Sequence, residues 1–302
     1  MKINLHLLRT LYLINRGSKT EAPMLNFILN YCRNLKNVDI EIDNEKNLFI
    51  TKNTTNPLYM PCIIAHMDTV FDYDFERELV QKGNLITARD VKTKAPCGLM
   101  ADDSNGIYCA LRLLDIIPNI KICFTTQEEI GGIGAVVATE NTEFFNNVNF
   151  FLQADRRGNS NIITFTNGRK IVSDKFVEDI TPIIKRYNYS TTNGIFTDIG
   201  EIAFWCGISG INISCGYYNE HTVNETCNTV ELHNCLYLMR ELINTLKDKE
   251  PYKVEFAPNK DLDRSLLKYN DYFSYNTHDY LFEPLPCDTC SDMDCMNCTK
   301  TF

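Results

Sequence analysis

Five short polar clusters interrupt the apolar runs of this chain: HMD at 66–68, ADD at 101–103, EE at 128–129, ADRRGN at 154–159 and NEHT at 219–222. Together they offer two imidazoles, His66 and His221, and the carboxylates of Asp68, Asp102, Glu128, Glu129 and Asp155. Carboxylate oxygens with neutral imidazoles are the donor set of zinc and similar divalent ions. Two such ions need a shared carboxylate and an activated water between them, the arrangement of two-metal hydrolases. His66 and Asp68 are i and i+2, so on a strand they face the same side, and Asp68 can accept the imidazole's second N–H. Adjacent glutamates diverge, so one can bind metal while the other stays free as a base. Each cluster also has a plainer reading. A histidine at a strand end is more often a surface residue, DD before a helix is ordinarily an N-cap, EE is solvated charge, and Asp155 pairs with a neighbouring arginine.

The surrounding pattern decides whether the clusters can meet. Apolar spacing gives helices at about 4–15 and 21–35, then a hairpin from VDIEID (38–43) and NLFITK (47–52). MPCIIAH (60–66), IKICFTTQ (120–127), VNFFLQAD (148–155) and GINISCGYYNEH (210–221) read as buried strands. Helices are expected at 101–115, from 131, at 170–187 with Pro182 as an interruption or a start, and at 229–248. Alternating strands and helices predict an α/β fold, a mixed central β-sheet sandwiched by helices. The four buried strands each end on a polar cluster. In open α/β sheets, sites form beyond the carboxyl ends of the strands.

The order His-x-Asp, Asp-Asp, Glu-Glu, Asp, His, in AHMDTV, MADDSNGI, FTTQEEIGGIGA and YYNEHT, resembles the co-catalytic zinc exopeptidases. These include peptidase T, related aminopeptidases and carboxypeptidases, and aminoacylase-like amidohydrolases. The resemblance spans roughly residues 20–247. It implies two zinc ions, or another divalent metal such as cobalt or manganese. His66 and Asp155 would hold one ion, Glu129 and His221 the other, and Asp102 would bridge both, with a cis Asp102–Asp103 peptide. Glu128 would be the general base on a metal-bridging water, with Asp68 supporting His66, and Gly131, Gly132 and Gly134 would allow the turn behind the glutamates. The implied activity is an exopeptidase, with an aminopeptidase on short peptides leading. An N-acyl amino acid deacylase or a carboxypeptidase on the same core, or an inactive binding protein, are the alternatives. The gaps from His66 to Asp102 and from Asp155 to His221 are too short for the extra domain of many relatives. A monomer is therefore the expectation, with an oligomer left open. Thr197 and Asp198 are candidates for the pocket wall or a helix cap, and one of Tyr217 and Tyr218 should point inward.

Composition narrows the partners. A net charge of −9 argues against nucleic acid or an anionic membrane surface. No apolar run approaches the ~20 residues of a membrane span. The N-terminal 25 residues read as an amphipathic helix rather than a signal peptide. Cys62, Cys109, Cys123 and Cys215 sit in apolar stretches, as reduced core cysteines of a cytoplasmic protein would. Residues 1–248 are expected to form the catalytic domain and 249–302 a C-terminal extension. That extension carries C-x2-C-x4-C-x2-C at Cys287, Cys290, Cys295 and Cys298. Two such pairs could hold a structural zinc; disulfides or an unstructured segment are the plain alternative.

Overall fold

The structure is a computed structural model, and it describes residues 3–254. In chain order the elements begin with α1 (Leu5–Leu13), α2 (Ala22–Cys32), β1 (Val38–Ile42), β2 (Leu48–Asn53) and β3 (Met60–His66). There follow β4 (Arg77–Lys82), β5 (Leu85–Asp90), β6 (Pro96–Cys97), α3 (Ala101–Ile116), β7 (Asn119–Thr125), α4 (Ile133–Ala138) and α5 (Thr142–Phe145). Next come β8 (Val148–Arg156), β9 (Asn161–Thr166), β10 (Arg169–Lys170), α6 (Asp174–Arg186), β11 (Ser190–Gly194) and α7 (Asp198–Cys206). The last are β12 (Gly210–Ser214), β13 (Tyr217–Tyr218), β14 (Thr226–Asn228) and α8 (Thr229–Leu246).

A nine-stranded mixed sheet runs β1-β2-β7-β3-β8-β12-β9-β10, with β11 beside β9. Its centre, β7-β3-β8-β12, is parallel. These are the four strands whose continuous apolar runs mark them as buried on both faces, and β3 and β12 are buried at every position. Parallel pairing puts all four carboxyl ends on one edge, with His66 opposite Thr125 in register. Helix α3 packs on β3, β7 and β8, with α1 and α8 against it, while α7 packs on β3, β8 and β12 beside α4. A small second sheet, β13-β14-β5-β4 with β6 on β5, joins residues from between His66 and Asp102 to the segment around His221.

Several expectations are corrected. The fourth strand stops at Ser214 instead of reaching His221, because the chain turns at Gly216 and crosses to the second sheet. Helix α6 starts after Ser173, whose Oγ caps Phe176 N–H at 3.2 Å, and carries Pro182 inside it. Strands β4, β5, β6, β9, β10, β11 and β14 have no counterpart in the sequence reading; β11 is STTNG, an edge strand with no apolar signal. The chain stays packed past α8, with Tyr252 buried against Phe150 and Phe176. The rest of the extension, including its four cysteines, lies outside the described residues. Cys62, Cys109, Cys123 and Cys215 are free thiols in the core. Among the described residues, no helix is long and apolar enough to cross a membrane.

Helix α4 approaches the end of β7 so closely that a Cβ on Gly134 would lie 2.3 Å from Thr126 O and 2.5 Å from Asn47 Oδ1. A backbone oxygen cannot swing aside, so Gly134→Ala should destabilise the fold by about 1–3 kcal/mol. A urea midpoint equal to that of the unmodified chain would contradict this.

Candidate metal centre

The sheet edge and two loops bring His66, Asp102, Glu129, Asp155 and His221 into one crevice. His66 ends β3 and is 1% exposed. Its Nε2 lies 3.0 Å from Asp102 Oδ1 and 3.7 Å from Asp155 Oδ1. His221 sits in the turn after β13, with Nε2 2.9 Å from Glu129 Oε2 and 3.4 Å from Asp102 Oδ2. Asp102 thus turns one oxygen to each imidazole. Donor atoms of His66, Asp103 and Asp155 lie within 4.8 Å of one another, as do those of Asp102, Glu129 and His221, and those of His66, Glu128 and Glu129. The half-exposed His221 borders an open cavity of about 750 Å³ whose wall includes Arg157, Tyr218 and Glu220.

The electrostatics fit cations. Burial, then the charge of Asp102, pushes the Asp155 carboxyl up to about 7. Burial raises Glu128 and Asp103 well above the carboxylate range, and raises Glu129 less. Hydrogen bonds to Asp102 and Glu129 push His221 up to about 10. Burial opposes charge on His66, yet its bonds to Asp102, Asp155 and Asp68 raise it well above its usual value. The crevice holds more carboxylate charge than two imidazoles balance, and it takes up protons to compensate. One carboxylate oxygen, Glu129 Oε1, is buried without any hydrogen-bond partner. Oxygen and imidazole donors around an unneutralised charge suit zinc, manganese or cobalt.

Each ligand-bearing segment is held by its backbone. After β7, four successive N–H groups donate to side chains from elsewhere: Thr126 to Asn47 Oδ1 at 3.0 Å, Gln127 to Glu21 Oε1 at 3.2 Å, Glu128 to Asp68 Oδ1 at 3.0 Å and Glu129 to Asp68 Oδ2 at 3.2 Å. Gly131 and Gly132 then close the turn onto Glu128 O at 2.9 Å, both at positive φ that suits glycine. Asp68 meets His66 through two of its groups. His66 Nδ1 is 3.1 Å from the Asp68 backbone carbonyl, and the carboxylate is farther, at 3.4 Å. A carbonyl only accepts, so Nδ1 carries a proton, and Nε2 is the nitrogen that faces Asp102 and Asp155. The Asp68 carboxylate also grips the backbone of both glutamates and accepts from Ser18 Oγ at 2.6 Å. Burial would raise its pKa, but these bonds and His66 hold it below the ordinary value.

The ADD cluster divides. Asp103 is an N-cap after all, its Oδ1 accepting from Gly106 N–H at 2.8 Å. Asp102 caps nothing and faces the imidazoles; the Asp102–Asp103 peptide is cis. Asp155 is held by Asn212, which accepts from its N–H at 2.9 Å and donates to its carbonyl at 2.8 Å. Tyr217 points inward and donates to Asp155 Oδ1 at 3.3 Å, while Tyr218 donates to Glu231 on α8. The Thr197 hydroxyl lies 2.9 Å from Gln153 Oε1 and 3.2 Å from Asp155 Oδ2, its one proton directed between them rather than capping α7, and Asp198 is fully buried beside Thr125. Asn47, Glu21, Ser18, Asn212 and Glu225 gave no signal in the sequence. They are single polar residues whose work depends on contacts distant along the chain.

Asp155 and His221 both bind protons more readily in the folded chain than in the unfolded one. The stability each contributes is full at low pH and is lost as pH rises, from 3.8 to about 7 for Asp155 and from 6.5 to about 10 for His221. The thermal midpoint of chelator-treated protein should therefore fall between about pH 6 and about pH 9. Added zinc should raise the midpoint more at the alkaline end, because it displaces protons. A metal-free midpoint that climbs across this window would contradict the charge balance described.

No family model and no curated protein matches the chain. Solved structures do. Aminopeptidase PepT from Bacillus cereus superposes with a TM-score of 0.67 at 15% identity, over 80% of this chain and 97% of that one. A tripeptidase from Staphylococcus aureus gives 0.62 at 15% identity, over 79% and 96%. An aminopeptidase from the archaeon Desulfurococcus kamchatkensis gives 0.61 at 15% identity, over 85% and 98%. The chain has the fold of the PepT-type aminopeptidases.

Proposed function

We propose that this chain is a metal-dependent aminopeptidase that hydrolyses short peptides, with residues 1–248 as its catalytic unit. The observation that carries the reading is Asp102 between two imidazoles, with Glu128 close to His66 and Glu129 and outside both His–Asp pairings. His66, Asp155 and Asp102 would hold one divalent ion, and Glu129, His221 and Asp102 a second. Bound there, the ions supply Lewis-acid polarisation of the scissile carbonyl and acidify an attacking water.

The chain's own residues do the rest. Glu128 lies close to His66 and Glu129 and outside both His–Asp pairings, so it would be free to take a proton from water and hand it to the departing amine. Its backbone is fixed by Asp68, which fixes where that proton is exchanged. Asp68 also sets the tautomer of His66 through its carbonyl. The open cavity walled by His221, Arg157 and Glu220 would take a part of the peptide away from the reacting bond. Similar folds carry the names aminopeptidase and tripeptidase, which supports a free-amine peptide over an N-acyl amino acid.

A substrate panel tests this. With zinc, manganese or cobalt present, free-amine di- and tripeptides should be cleaved, and N-terminally blocked peptides should not. Turnover of N-acyl amino acids instead would replace the reading with a deacylase. Glu128→Gln should lower kcat by roughly 10²–10⁴-fold while metal content is retained. Unchanged turnover would remove Glu128 from the mechanism.

A further inference from the structure

Asp103 caps the body of α3, but the backbone just ahead of it has no cap from its own segment. Met100 has φ 66, and the N–H groups of Met100, Ala101 and Asp102 point away from the helix's own side chains. Three successive donors there go to one distant carboxylate. Glu225 accepts from Met100 N–H at 2.7 Å through Oε2, and from Ala101 and Asp102 N–H at 2.9 and 3.1 Å through Oε1. It is 1% exposed. Among the described residues it has no salt-bridge partner, so its charge faces backbone N–H groups and the positive end of a helix.

Its place in the chain matters as much as its contacts. Glu225 lies four residues after His221, in a turn closed by Glu225 N–H to Thr222 O at 3.2 Å and by Thr222 Oγ1 to Asn219 O at 2.8 Å. One short segment therefore presents an imidazole to Asp102 Oδ2 and also holds the backbone of Asp102. We infer that Glu225 is a positioning residue that ties the His221 loop to the bridging aspartate and sets the spacing of the metal centre. The inference rests on the metal-centre reading above and assigns Glu225 a role outside the ligand set.

Manganese binding to the full-length chain tests it, because this ion prefers oxygen and imidazole to the thiolates of the extension. In the unmodified protein, titration should show two Mn²⁺ per chain and an exchange-coupled electron paramagnetic resonance signal. Glu225→Ala should weaken the affinity by about 10–100-fold and lose the coupled signal at metal ratios where the parent shows it. Glu225→Gln keeps one carbonyl oxygen and should be intermediate, and it decides the matter if the alanine variant does not fold. Leu242→Ala, in the buried face of α8, controls for general destabilisation and should keep both affinity and signal. Parent-like affinity and coupling in the folded Glu225 variants would overturn the inference. A parent chain that binds no Mn²⁺ would overturn the metal centre itself, a result distinguishable from the first.

Discussion

The Asp102 carboxylate stands between two imidazoles, one oxygen turned to His66 and the other to His221. A single side chain can do this only if its backbone is fixed, because small rotations would carry one oxygen away. The fold supplies that rigidity by capturing backbone N–H groups with buried acceptors. Glu225 captures the three that lead into Asp102. Asn47, Glu21 and Asp68 capture the four that lead into Glu129. Asn212 brackets the peptide of Asp155. Buried acceptors left without donors would each cost about 1–3 kcal/mol, so these contacts resist rearrangement.

Charge works in the opposite direction. Carboxylates brought this close repel one another, and burial makes that repulsion more costly. Burial, then neighbouring negative charge, raises Asp155, and burial leads the upward shifts of Glu128, Glu129 and Asp103, while bonds to carboxylates raise both histidines against burial. The parallel core of the sheet makes the concentration unavoidable, since β3 and β8 end at the same edge and β7 delivers its glutamates just beyond. Divalent cations would relieve the repulsion and give Glu129 Oε1 the partner it lacks. The same pressure that destabilises the metal-free crevice would then become affinity for the ions.

Much of this was legible in the sequence for a specific reason. Strands buried on both faces leave continuous apolar runs, so Met60–His66 and Val148–Arg156 announced themselves, and their polar ends pointed to one edge. The pairing of ligands came from the resemblance of the cluster order to the zinc exopeptidases. Strands β4, β5 and β11 did not show, because half-exposed and edge strands mix charged and apolar residues. For Asp68, i and i+2 spacing brings its carboxylate near the ring but cannot reveal that two backbone N–H groups also bind it. The contacts of Glu225 were invisible because they join residues over 120 positions apart.

Anomalous X-ray diffraction from zinc-soaked crystals tests the central claim most directly. Two peaks are predicted, about 3.5–4 Å apart, one beside His66 and Asp155 and the other beside Glu129 and His221, with Asp102 reaching both. A single peak, or zinc with Asp102 turned away from it, would contradict the account.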